Sequence, residues 1–205
     1  MARQGVLLVI SAPSGAGKLT LLNKVRESQA GSFVTTVSAT TRAPRHGEVE
    51  GKDYYFLDRA TFEARRDDGE FVEWAEVHGN LYGTLNSELD RCLATGKDVI
   101  LELDVQGMES LKELRRDIVT VFLMPPSLLE LEDRLRNRGT DEEDVIALRL
   151  KNASDEMAQR HGFDYIVVND KIDQAASDLE AIIRAERCRA FRQPQETAQC
   201  PPRSL

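Results

Sequence analysis

Residues 5–28 read GVLLVISAPSGAGKLTLLNKVRES, and the fold turns on how the middle of that stretch is read. Gly5–Ser11 is a short, branched apolar run, the pattern of a strand buried on both faces of a parallel sheet. A glycine-rich loop follows at once, and from Lys18 the apolar residues recur at helical spacing. Strand, glycine loop and helix form the setting in which a G-x-x-x-x-G-K-[ST] loop cradles phosphates and its last hydroxyl meets magnesium. Gly17 and Lys18 match that pattern, whereas Ala12 and Leu19 stand where it has Gly and Ser or Thr. On this stretch alone, a phosphate loop and a tight strand-to-helix turn both remain open. A lysine at the positive end of a helix favours the first, because an anion there relieves the repulsion. The backbone N–H groups of Gly15, Gly17 and Lys18 would then point at phosphate oxygens, with Lys18 reaching the transferred phosphate.

Working outward, three more runs have the same buried-strand character: Asp98–Asp104, Ile118–Met124 and Tyr165–Asp170. Helical patterns occupy Asn86–Ala94, Gln106–Arg116, a charged region from Leu128 to about Arg160, and a long amphipathic segment over Asp173–Phe191. The alternation predicts an α/β fold, a P-loop doubly wound parallel sheet. Two stretches break the rhythm. Residues 34–84 carry FVTTVSAT, KDYYFL and EFVEWAEV, short alternating strands and turns that predict an inserted small mixed sheet. Residues 128–155, with the charged RLRNRGTDEEDVIALRL, predict a helical lid. Residues 1–33, 85–127 and 156–192 are left as the core, and 193–205 as a disordered tail.

At 205 residues the chain can bury a real core. Its net charge of −8 argues against a general affinity for nucleic acid or anionic membranes, so any anion site must be a local basic cluster. No stretch is apolar for long enough to span a bilayer, and the start has no signal-peptide pattern. Cys92, Cys188 and Cys200 lack metal-ligand spacing and predict reduced thiols in a cytoplasmic protein. His46, His78 and His161 are scattered and predict surface or structural roles. Whether the chain is a monomer or a homo-oligomer stays open.

The second constellation is SATTRAPRHGEVEGKDYYF, residues 38–56, where Arg42 and Arg45 stand three apart beside hydroxyls and two tyrosines. Paired guanidiniums match a phosphate dianion bidentately. Downstream come FVEWAEVHGNLYGT, LELDVQG, RLRNRG and IVVND. Taken in this order over roughly residues 5–190, the chain resembles guanylate kinase nearly end to end. The resemblance implies an ATP-dependent GMP kinase with a GMP-binding subdomain at 34–84. It implies that Ser38, Arg42, Arg45, Tyr54 and Tyr82 hold the GMP phosphate and shape its pocket. Glu73, Thr84 and Asp104 would read the guanine. Arg134, Arg138 and Arg149 would close over the phosphates alongside Lys18 and Arg42. Ser14 to Thr20 (Ser14, Gly15, Ala16, Gly17, Lys18, Leu19, Thr20) would bind ATP, with Asn169 near its adenine. Guanine offers N1–H and N2–H₂ donors that suit carboxylates, so the physics fits the assignment.

Leu19 is where this chain departs from the family, which has Ser or Thr there. No side chain is thereby assigned to magnesium, and impaired metal coordination is expected. Thr20, about 100° further round the helix, is a poor substitute. The departure keeps a competing class in view, since guanylate kinase-like domains also serve as non-catalytic interaction modules. Retention of Lys18 and both arginine sets favours the enzyme. A P-loop kinase of phosphorylated sugars is a third reading, against which Glu73 and Asp104 speak.

Overall fold

The computed structural model describes residues 4–77, 79–137 and 142–193. Its centre is a five-stranded, all-parallel sheet: β1 (Leu7–Ser11), β2 (Phe33–Thr35), β7 (Asp98–Glu102), β8 (Ile118–Met124) and β9 (Tyr165–Val168). Their spatial order is 2-7-1-8-9, and β1 lies in the middle with all five residues buried. Period-two alternation sends Leu8 and Ile10 to one face and Leu7 and Val9 to the other. Helices α1 (Lys18–Ser28) and α7 (Ile172–Arg187) cover the first face with Leu21, Leu22, Val25, Leu179 and Ile183. Helices α3 (Asn86–Leu93) and α4 (Val105–Leu114) cover the second with Leu89, Met108 and Leu111. This is the doubly wound fold that the alternating pattern implies.

The inserted segment forms a four-stranded mixed sheet in the order 4-3-6-5, from β3 (Ala39–Thr40), β4 (Tyr55–Phe56), β5 (Phe71–Val77) and β6 (Asn80–Leu85). Two expectations need correction. FVTTVSAT is not one strand of this sheet, because Phe33–Thr35 pairs with β7 in the core and only Ala39–Thr40 joins the insertion. The boundary at residue 34 therefore falls inside β2, and the chain leaves the core after Thr35. The insertion also holds a helix, α2 (Arg59–Asp67), where turns were expected. Asp58 caps it by accepting the Thr61 N–H at 2.8 Å. Phe62 is fully buried against Ala39 and Leu81 and stacks on Phe71 at 4.4 Å between centroids, which is worth about 1.5–3 kcal/mol of burial.

The segment expected to be a lid holds two helices, α5 (Leu128–Asn137) and α6 (Glu143–Ala158), packed on each other through Leu131, Leu135, Ile146 and Ala153. Residues 194–205 of the expected tail lie outside the described residues, as does Cys200. Among the described residues no helix is long and apolar enough to cross a membrane.

Candidate active site

The glycine loop leaves the C-terminal end of β1 and delivers Lys18 as the first residue of α1. Gly15 and Gly17 have φ of 96° and 90°, a region that disfavours side chains. A Cβ on Gly17 would also lie 2.5 Å from the amide nitrogen of Asn169. That amide donates to the carbonyl of Ala16 at 2.7 Å, so Asn169, buried after β9, braces the loop. Helix α1 has no side-chain N-cap and no acidic residue in its first turn. Its leading N–H groups are thus without a counter-charge from the helix itself, as an anion site requires.

Two clefts meet this loop. One, of about 510 Å³, is lined by Gly15, Gly17, Thr20, Arg134 and Asn169. Arg134 is tied there by donating to the Asn169 carbonyl at 3.1 Å and by an ion pair with Glu130 at 3.2 Å. The other, of about 250 Å³, is lined by Lys18, Ser38, Tyr54, Glu73, Tyr82 and Asp104, together with Thr36, Gly83 and Glu102. Lys18 Nζ lies 3.6 Å from the Glu102 carboxylate. The Tyr54 and Tyr82 rings meet edge to face at 6.1 Å. Arg42 flanks this cleft without lining it. Its guanidinium sits 5.3 Å from the Tyr54 ring centroid and grips both oxygens of Glu48 at 2.9 and 3.0 Å. The Arg42 guanidinium in turn holds the Glu48 carboxyl below the usual carboxylate range. Arg45 is exposed, and its N–H donates to the same Glu48.

At the floor of the second cleft, Glu73 on β5 pairs in register with Thr84 on β6. Asp104 caps α4 by accepting the Gly107 N–H at 2.8 Å. A Cβ on Gly107 would crowd a Glu73 oxygen at 2.7 Å and an Asp104 oxygen at 3.2 Å, so glycine is what lets the two carboxyls share this spot. Burial pushes the Glu73 carboxyl up to about 7, Asp104 adds to the rise, and Thr84 tempers it. The buried hydroxyl of Thr36, which lines this cleft, has no hydrogen-bond partner among the described residues, whereas Thr84 lines neither cleft and bears on Glu73. Buried polar atoms without partners are costly, and in a cleft they point to a ligand that supplies them.

The Glu73 shift predicts a pH effect on stability. An acid whose folded pKa is raised favours folding while protonated, and that advantage is lost as pH rises from about 4.5 toward about 7. Glu73→Gln should therefore match the wild type in thermal stability at pH 5 and exceed it at pH 8, by up to about 3 kcal/mol. Equal melting shifts at both pH values would overturn the assignment of this buried charge.

Several expected residues are brought together: the loop, Arg134 and Asn169 at one cleft, and Ser38, Tyr54, Glu73, Tyr82 and Asp104 at the other. Arg149 is half-buried on α6 and lines neither. Arg138 lies outside the described residues. Leu19 is 66% exposed and also lines neither cleft, whereas Thr20 turns into the larger one. Residue types alone missed Glu48 and Glu156. Glu156, on α6, has its carboxyl pushed up to about 7 by burial and by Asp104, against the opposing pull of Lys18. Its signal was hidden in a helix dense with charges.

A magnesium ion travelling with a nucleotide usually keeps several waters and takes one or two protein carboxylates. The donor set fits such an ion, because Glu102 offers a carboxylate beside Lys18. Leu19 offers no oxygen.

The family model described as Guanylate kinase matches residues 4–186. The guanylate kinase of Geobacter metallireducens is 48% identical over 192 residues, covering 94% of each chain. That of Aromatoleum aromaticum is 49% identical over 195 residues, covering 95% of each. The crystal structure of guanylate kinase from Anaplasma phagocytophilum matches with a TM-score of 0.78 at 39% identity, covering 94% of this chain and 91% of that one. A family match over nearly the whole length, supported by relatives that are almost half identical from end to end, means that the chain belongs to the guanylate kinase family.

Proposed function

We propose that this protein transfers the γ-phosphoryl group of ATP to GMP or dGMP, giving ADP and the guanosine diphosphate. The observation that carries this reading is that Lys18, at the end of the glycine loop, lines the same cleft as the paired carboxyls Glu73 and Asp104. The core at 1–33, 85–127 and 156–192 would hold ATP, 34–84 would hold GMP, and 128–155 would close over both.

In this arrangement ATP lies along the larger cleft with its phosphates against the N–H groups of Gly15, Gly17 and Lys18. Asn169 keeps the loop in shape, and its place beside the cleft suits a contact near the adenine. GMP lies in the smaller cleft with its base toward Glu73, Asp104 and Thr84. Its phosphate meets Arg42, Arg45, Ser38, Tyr54 and Tyr82. Lys18 stands between the two nucleotides, where it neutralises charge on the group in flight, and Arg134, Arg138 and Arg149 add to this when the lid closes. Phosphoryl transfer asks mostly for positioning and charge neutralisation, which these residues supply. Magnesium, when bound with ATP, would be held by phosphate oxygens and Glu102 and would offset charge between the β- and γ-phosphates. The non-catalytic alternative is not favoured, since relatives named guanylate kinase match over nearly their whole length. A kinase that draws on ATP and GMP would work in the cytoplasm, and the absence of a membrane-crossing helix among the described residues is compatible with that.

A coupled assay of ADP release with GMP, dGMP, AMP and no acceptor tests the reading, which fails if GMP and dGMP give no release above background. For the phosphate clamp, Arg42→Ala should weaken GMP binding by about 2–4 kcal/mol and leave ATP binding nearly unchanged. Calorimetry showing equal losses for both nucleotides would mean the two clefts had been exchanged.

A further inference from the structure

The small sheet is joined to the core by two crossings of the chain. It leaves through Thr36–Ser38, between β2 and β3, and returns where β6 runs into α3 at Leu85 and Asn86. Glu88, in the first turn of α3, lies where the two crossings meet, and its side chain is 3% exposed. One carboxylate oxygen accepts the Val37 N–H at 2.9 Å and the other accepts the Tyr55 hydroxyl at 3.3 Å. Arg91 pairs with both oxygens, at 2.8 and 2.9 Å. Burial works to raise the Glu88 carboxyl, but Arg91 and the Val37 N–H outweigh it and hold the group below the usual range.

The neighbours of these partners are site residues. Val37 stands between Thr36 and Ser38, and Tyr55 follows Tyr54; Thr36, Ser38 and Tyr54 all line the smaller cleft. Thr36 N–H is still held by the core, through the Ile100 carbonyl at 3.2 Å. Ser38 already belongs to the small sheet, its carbonyl accepting the Tyr55 N–H at 2.9 Å. Between those two anchors, the Val37 N–H is bonded to Glu88 on the returning strand's helix. A buried carboxylate is costly unless every lone pair is used, so a charge at this junction suits orientation better than packing.

We propose that Glu88 is a positioning residue for the acceptor nucleotide, fastening both crossings so that Ser38 and Tyr54 stand in register with Glu73 and Asp104. This rests on the reading of the smaller cleft as the GMP site. The larger cleft is built on the glycine loop and Asn169, away from this junction, so loosening Glu88 affects one substrate and spares the other.

The test is steady-state kinetics of the wild type, Glu88→Ala, Glu88→Gln and Tyr55→Phe with each nucleotide varied in turn. Glu88→Ala should raise KM for GMP about 10-fold or more while KM for ATP and kcat stay within about 3-fold. Glu88→Gln should recover part of the loss, because its amide oxygen still accepts from Val37 and its NH₂ can donate to the Tyr55 oxygen, while the bond from Arg91 Nε is lost. Tyr55→Phe, which removes one hydrogen bond and leaves the junction otherwise intact, should raise KM for GMP alone by about 2- to 5-fold. An unchanged KM for GMP in Glu88→Ala, or equal rises for both nucleotides, overturns the proposal. If Glu88→Ala does not fold, an unchanged KM for GMP in Tyr55→Phe overturns it instead. A wild type that turns over no GMP removes the acceptor-site reading itself, which is a different result from an active wild type indifferent to Glu88.

Discussion

GMP should be used at least about 10³-fold more efficiently than AMP, measured as kcat/KM at pH 8. The reason lies in Glu73, which is buried and shares its surroundings with Asp104. Guanine presents N1–H and N2–H₂ toward such a pair and satisfies both carboxylates. Adenine presents an acceptor at N1 and would leave a desolvated charge unpaired, the arrangement that discriminates most sharply. The Thr84 side chain bears on Glu73 and lowers its pKa somewhat, so in this reading it tunes the carboxyl that meets the base. The preference should also depend on pH. With its carboxyl near 7, Glu73 becomes protonated below neutrality and can then donate to adenine N1. The GMP:AMP ratio should therefore narrow as pH falls from 8 to 6, and Glu73→Gln should flatten that dependence. Comparable turnover of GMP and AMP at pH 8 would sink the guanine assignment.

Replacing Leu19 by Ser should raise kcat by roughly 10- to 10³-fold, equivalent to about 1.4–4 kcal/mol of transition-state stabilisation. Leu19 follows Lys18 at the start of α1, and its exposed side chain brings no oxygen to the loop. Thr20 does not replace it, since it lines the larger cleft, whereas Lys18 and the carboxylates Glu73, Glu102 and Asp104 line the smaller one. Lys18 and the loop N–H groups remain in both proteins, so ATP affinity should change little. Two measurements check this. A magnesium titration of initial rates should show a lower midpoint for the Ser variant. Independently of turnover, manganese binding to the protein–ATP complex, followed by electron paramagnetic resonance, should tighten. If rate, midpoint and manganese affinity were all unchanged, the missing hydroxyl would be irrelevant and Leu19 a tolerated variant.

Much of this molecule is legible in its chain because the governing interactions are local. The branched runs at Leu7–Ser11, Asp98–Glu102 and Ile118–Met124 form strands buried on both faces, and β-branched apolar residues suit little else. Gly15 and Gly17 mark backbone that side chains disfavour. The arginine segment suggests phosphate by its paired guanidiniums, whereas the loop, left open by itself, and YGT take their roles from the resemblance along the whole chain.

What the tertiary structure decided are relations between distant residues. Phe33–Thr35 and Ala39–Thr40 read as one strand, yet they join different sheets, because strand partners lie far along the chain and period-two alternation names no partner. Helix α2 escaped notice because its apolar content is slight, and only packing of Phe62 beneath the small sheet makes it worth forming. The resemblance assigns Glu73 to the base, but its raised pKa arises only once the fold buries it and brings Asp104 and the bare Gly107 beside it. Glu88 and Glu156 belong to no motif. Sequence determined which residues could meet a nucleotide, through local conformation and residue chemistry. Which carboxylates lost their water, and which hold the crossings between two sheets, followed from long-range packing, because desolvation and hydrogen-bond geometry exist only once the chain has closed on itself.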